Sequence, residues 1–204
     1  MLTDKADKTI KETAIIDGEF YEEVVFSGLK SNQITFTEIE FYKCKILNSL
    51  FTKCRFYNCR FENCAFNGCD LSLSAFNECS FIDVEFSDCK LIGIDWTKPL
   101  KPFKTGYENC KLNDSIFFSL DLRGIKIKNC EARNADFEKS NLAKANFSGT
   151  DLLNSNFTTA DLQSADFTNA INYRIDPVNC NIRKAKFSMP EVLRLLAPWN
   201  IDIS

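Results

Sequence analysis

"FTKCRFYNCRFENCAFNGCDL", residues 51–71, places Phe51, Phe56, Phe61 and Phe66 five apart and continues with Leu71. Cys54, Cys59, Cys64 and Cys69 keep the same step, each two residues before a large apolar side chain. Worked outward, the series begins at Phe26 and runs from Phe36 to Trp96. It resumes one residue out of step from Leu112 to Phe167 and returns at Ile182 and Phe187. Of the 19 phenylalanines only Phe20, Phe103 and Phe118 stand outside it. The position two earlier is mostly small, as at Ser49, Ser74, Ala135 and Ser155, and all 10 cysteines fall there, the later ones being Cys110, Cys130 and Cys180.

A step of five is not helical, because at ~100° per residue it turns the side chain by ~140° each time and scatters the phenylalanines around the axis. Nor is it a plain strand, since an odd step alternates faces. It fits a short extended piece followed by a corner, with the small residue and the Phe or Leu pointing inward and the other three outward. Repeated corners coil the chain into a solenoid whose turns pair with one another.

Composition bounds the rest. The 204 residues suffice for one domain with a real core. With 25 basic and 28 acidic residues the net charge is −3, which marks no basic nucleic-acid binder, so no direct nucleic-acid binding is expected. The charge is uneven: residues 1–100 hold 11 Lys/Arg against 16 Asp/Glu, and residues 101–204 hold 14 against 12. The opening "MLTDKADKTIKET" lacks an apolar core of the signal-peptide kind, and no apolar run reaches membrane length. A cytoplasmic protein with reduced thiols and no membrane association is expected. There is no histidine, no GxGxxG and no GxxxxGK[ST], so the common nucleophile–base pairs, most catalytic zinc sites and the phosphate loops are missing. No catalytic residue, cofactor or metal is expected.

The stretch "ADFEKSNLAKANFSGTDLLNSNFTTADLQSADFTNA", residues 135–170, resembles the pentapeptide repeat proteins, whose motif is small–(Asp/Asn)–(Leu/Phe)–any–any. Asp136, Asn141, Asn146, Asp151, Asn156, Asp161 and Asp166 precede seven consecutive centres. The resemblance covers roughly residues 16–187 and implies an all-β solenoid, a right-handed quadrilateral β-helix with ~20 residues per coil. The first half departs from the motif, using Cys–X–Phe and lacking most of the Asp/Asn. The cysteines read best as small buried hydrophobes. Their CxxxxC spacing sends successive thiols to successive sides, which disfavours a metal site. Pairs 20 apart (44/64, 59/79, 69/89, 110/130) would stack ~4.8 Å apart, within reach of a disulfide, but the stacked geometry and a reducing cytosol oppose one.

Three departures from the repeat are expected. Residues 1–15 form a tail or cap. "TKPLKPFKTGYENC" breaks the frame with Pro99 and Pro102, and Gly106 suits a turn. Residues 97–106 therefore read as a protruding contact loop carrying Lys98, Leu100, Lys101, Phe103 and Lys104. "SMPEVLRLLAPWNIDIS", residues 188–204, reads as a capping helix and strand. Ser188 and Glu191 make a capping box, Pro190 opens the helix and Pro198 ends it. Val192, Leu195, Leu196 and Trp199 share a face, and Ile201 and Ile203 follow on the strand. In the family such a face commonly makes a homodimer, so these six residues are the expected dimer interface.

The loop after "LIGIDW" and the "IDP…AKFSMPE" tail most resemble the gyrase-protecting members of the family, the Qnr-type quinolone-resistance proteins and a microcin immunity protein. That resemblance implies a partner, DNA gyrase or topoisomerase IV, protected from quinolones or a peptide toxin partly by DNA mimicry. The outward residues Glu38, Glu40, Asp83, Glu85 and Asp88 would contribute to the mimicry. A non-enzymatic scaffold for another protein partner is the alternative.

Overall fold

The computed structural model describes residues 9–11, 15–101, 103–199 and 201. The chain winds as a parallel β-solenoid of about eight turns followed by one short helix. Parallel partners lie 20 residues apart: Arg60 faces Glu40 and Ser80, and Phe61 faces Phe41 and Phe81. Four pentads therefore complete a coil, and the solenoid has four sides. Centres from Phe36 to Phe167 are buried, and from Ile39 to Ala165 nearly all the positions two earlier face the same core.

The two halves form their sides differently. In the first, pentads such as Arg55–Tyr57, Arg60–Glu62 and Ala65–Asn67 are three-residue strands with the central Phe buried. In the second, from Asp136 onward, the Asp or Asn before the centre bends the side into a turn. Asp136 Oδ1 accepts the Glu138 N–H at 3.0 Å, and Asn146, Asp151 and Asp166 take the N–H two residues on in the same way. This is the local bond that Asn and Asp side chains offer in place of a ladder. The fourth residue of the turn closes it, as where the Ser140 N–H donates to Phe137 C=O at 3.1 Å. The residue two past each centre takes positive φ at most corners, a conformation Asn tolerates well, as at Asn48, Asn58 and Asn134.

Inside, residues one coil apart stack. Phe36, Phe56, Phe76, Trp96, Phe117, Phe137 and Phe157 form one uninterrupted column of parallel rings, with centroids 4.9–6.2 Å apart. The small slot also carries hydrogen bonds. Ser155 Oγ donates to Ala132 C=O at 2.5 Å and Thr150 Oγ1 to Ile127 C=O at 2.6 Å, each from one coil to the one before. The thiols do the same more weakly, Cys64 Sγ to Phe41 C=O and Cys79 Sγ to Phe56 C=O, both at 3.4 Å. All ten cysteines are free and buried. Cys69, Cys89, Cys110 and Cys130 stand in one column, in which the Cys69 N–H also reaches Cys89 Sγ at 3.4 Å.

At the N-terminus Thr9–Lys11 adds a strand to Val25–Ser27, with Ile10 opposite Phe26. Residues 1–8 and 12–14 of the expected tail lie outside the described residues.

Candidate partner-binding segment and C-terminal face

The segment 97–106 is not the protruding loop its prolines suggest. Val84 to Ser87 pair with Thr105 to Glu108, 21 residues on, so the coil contains one inserted residue and no more. Around the insertion the backbone still joins the preceding coil. The Leu100 N–H donates to Cys79 C=O at 2.8 Å, the Lys104 N–H to Phe81 C=O at 3.1 Å, and Lys104 C=O accepts from Val84 N–H at 3.2 Å. Gly106 makes no turn. It lies in the strand Thr105–Glu108, opposite Glu85, where a Cβ would fall 2.1 Å from Glu85 Oε2.

The five expected contact residues divide accordingly. Phe103 turns inward over Phe81 and Trp96, with centroids 5.9 and 5.4 Å away, and takes the interior place that the inserted residue would have emptied. Leu100 is outward and 50% exposed. Lys98 pairs with Asp95 at 3.4 Å. Burial raises the Asp95 carboxyl, but hydrogen bonds from Thr97 and Lys98 outweigh it and hold the group below its ordinary range. Lys101 and Lys104 are exposed, and among the described residues neither makes an ion pair with a carboxylate, although, after Arg123, Lys101 helps to lower the Asp121 carboxyl. They line a cleft of about 810 Å³ with Phe103, Leu120, Arg123 and Lys144. Arg123 and Lys144 could not be placed there from sequence, because they lie one and two coils further on.

The acidic residues Glu38, Glu40, Asp83, Glu85 and Asp88 are exposed, as their pentad positions require. Many charges up the rod alternate in sign and pair between coils: Lys43 with Glu23 at 3.5 Å, Lys111 with Glu131 at 3.2 Å, Lys128 with Glu108 at 3.3 Å. Among the described residues no group of three or more His, Cys, Asp or Glu could hold a metal ion, and no helix is long and apolar enough to cross a membrane.

At the other end Glu191–Trp199 is a 3₁₀ helix that runs through Pro198 rather than ending before it. The expected capping box does not form. Ser188 Oγ accepts the Asn169 N–H at 2.9 Å, and Glu191 Oε1 accepts the Asn172 N–H at 2.6 Å and Arg194 Nε at 2.7 Å. Both side chains satisfy the last coil instead of the helix. With three residues per turn, positions three apart eclipse one another. Val192 and Leu195 thus sit over the core end, while Trp199 leaves it and is 49% exposed. Leu196 is half-buried and Ile201 exposed; Ile203 lies outside the described residues. Val178, Met189 and Leu193 add further exposed apolar surface at this end.

Comparison with known proteins agrees with this architecture. The family model for the pentapeptide repeat region matches residues 34–99 and 103–173. Two solved structures of trypsin-treated variants of QnrB1, described as a plasmid-mediated fluoroquinolone resistance protein, share the fold. The first is 18% identical with a TM-score of 0.53, covering 97% of this chain and 99% of that one. The second is 20% identical with a TM-score of 0.56, covering 97% and 95%. No curated protein sequence matches. The matched span exceeds half of the chain and coincides with the four-sided coil, and on that ground the chain belongs to the pentapeptide repeat family.

Proposed function

We infer that this protein acts by binding rather than by chemistry, and that its partner is a type II topoisomerase, DNA gyrase or topoisomerase IV, which it protects from quinolones or a peptide toxin. The observation that carries the reading is the single break in the coil, after Trp96, set in a rod whose whole course resembles that of QnrB1. Eight coils at ~4.8 Å give a rod ~40 Å long, comparable to ~12 base pairs of duplex. The exposed acids allow it to imitate duplex in part, while the basic residues beside the break supply contacts to the enzyme itself. The apolar surface around Leu193, Leu196, Trp199 and Ile201 serves as a homodimer contact, since exposed apolar groups clustered at one end gain most by mutual burial.

A second reading, a scaffold for some other protein, draws on the cross-coil ion pairs, which interrupt the negative field a duplex mimic uses. Supercoiling by purified gyrase or topoisomerase IV, titrated with a quinolone with and without this protein, separates the two. The first reading expects the inhibitory drug concentration to rise with added protein. An unchanged drug curve for both enzymes, together with no enzyme retained on immobilised protein, leaves the scaffold reading.

A further inference from the structure

The insertion has a second effect one coil further on. On this side of the rod each coil normally donates to the one before it. Arg60 N–H reaches Ile39 C=O at 2.8 Å, Ser80 reaches Cys59 at 2.8 Å, Leu100 reaches Cys79 at 2.8 Å, and Asn141 reaches Leu120 at 2.9 Å. The equivalent bond from Asp121 N–H, which across the insertion would go to Pro99 C=O, is missing among the described residues, although the neighbouring sides are joined there, by Ile116 N–H to Ile94 C=O and by Gly106 opposite Lys126. On this side the ladder opens into the 810 Å³ cleft, between Lys101, Phe103 and Lys104 on one coil and Asp121, Arg123 and Gly124 on the next.

The cleft has a definite chemistry. Its wall is apolar at Phe103 and Leu120, the latter almost fully buried. Its rim carries Lys101, Lys104 and Lys144, all exposed and in no ion pair among the described residues, together with Arg123. The acid at the rim, Asp121, is already engaged by Arg123 at 2.8 and 2.7 Å. Three ammonium groups, of which only Lys101 acts on Asp121, from beyond ion-pair distance, thus surround an apolar floor and a main-chain donor that lacks its usual partner. An unmet donor is costly when desolvated unless something accepts from it.

The geometry points to this cleft as a docking site for an extended acidic peptide segment of a protein partner. Its carboxylates would meet Lys101, Lys104 and Lys144, an apolar side chain would cover the half-buried Phe103, and its backbone carbonyl would accept from Asp121 N–H. The inference rests on the reading that a protein partner meets the segment at the break, and moves the anchors from a loop tip to the opened ladder.

The test is fluorescence anisotropy with a fluorescein-labelled (Glu-Leu)4 peptide, a (Lys-Leu)4 peptide and a single-stranded oligonucleotide of equal charge, each at low and high salt. The variant is Lys101→Glu/Lys144→Glu, whose side chains point to solvent and make no ion pair, so its melting temperature should match the wild type. Saturable binding of the acidic peptide to the wild type, weakened at least tenfold by the variant and by salt, with no binding of the lysine peptide, is the expected result. Absence of saturable binding, or equal affinity in the variant, overturns the proposal. Tighter binding of the oligonucleotide than of the acidic peptide also overturns it and assigns the cleft to nucleic-acid phosphates. The supercoiling assay on the same proteins keeps the two readings apart. Peptide binding by a wild type that fails to protect either topoisomerase retains the cleft and removes that partner. Undiminished protection by the variant overturns the cleft as the contact with a topoisomerase.

Discussion

The Phe61 ring lies flat on the Phe41 ring of the coil before it, with centroids 4.9 Å apart and planes within 2°. It also touches Phe56, Phe66, Phe76 and Phe81. A core pinned by interstrand hydrogen bonds on four sides cannot close around a missing ring. Phe61→Ala should therefore cost ~3–5 kcal/mol in urea unfolding. Glu62, the next residue, faces outward and pairs with Arg60 at 2.5 Å in a surface contact, so Glu62→Ala should cost less than ~1 kcal/mol. Equal losses would refute the inward and outward assignment.

The thiols should be silent in the native protein. Cys64 and Cys79 are held well above the usual range by the hydrogen bonds their thiols donate to Cys44 and Cys59, with burial adding to the shift. At Cys89 the Cys110 bond lowers the group, but the Cys69 bond and burial push it up to about 12. A thiol reagent at pH 8 should find almost none of the 10 before denaturation and all of them after it, without reductant. A shortfall in the denatured protein would reveal disulfides.

Phe103 and Leu100 should separate stability from recognition. Phe103→Ala empties the interior place above Phe81 and should cost about 2 kcal/mol, less than a fully buried ring. Leu100→Ala, on an exposed side chain, should change stability by less than ~0.5 kcal/mol. Chemical denaturation of the two variants checks this, and replacing the entire segment by a flexible link should lower the melting temperature, because the segment carries ladder bonds.

Asp151 should contribute to acid sensitivity. Burial would raise its carboxyl, but hydrogen bonds from Asn172 and Arg133, at 2.9 and 2.8 Å, overcome that and hold it below the ordinary range. A folded value below the unfolded one gives stability that is present above the unfolded value, ~3.9, and lost as the pH falls through the folded one. Asp151→Asn should destabilise by about 1–3 kcal/mol at pH 7. The difference should shrink in urea titrations below pH 3; a constant difference down to pH 2 would contradict the linkage.

Trp199→Glu should abolish the proposed dimer without unfolding the protein, because the side chain already stands in solvent. Leu195→Glu should instead destabilise the last coil, since Leu195 is buried against the core. Sedimentation and thermal melts distinguish the two. A wild-type monomer at high micromolar concentration would remove the dimer.

The sequence by itself determined the solenoid, because a five-residue step admits neither helix nor plain strand, and each pentad names its own inward residues. Phe61, Cys64 and Ser155 could be placed in the core from position alone, since a repeat applies the same local rule at every coil. Tertiary structure decided what depends on neighbours 20 or more residues away. The small slot could be read as small, yet its donor role appears only where Ser155 meets Ala132 of the coil before. The prolines and glycine of 97–106 looked like a loop, but the pull of the Phe81 and Trp96 rings on Phe103 and the ladder to Cys79 keep the segment in the coil. Ser188 and Glu191 matched a cap in sequence and were claimed instead by the N–H groups of Asn169 and Asn172, left open at the end of the last coil. Local pattern fixes a repeat because each coil repeats the same contacts; breaks and ends have no such copy, and long-range partners settle them.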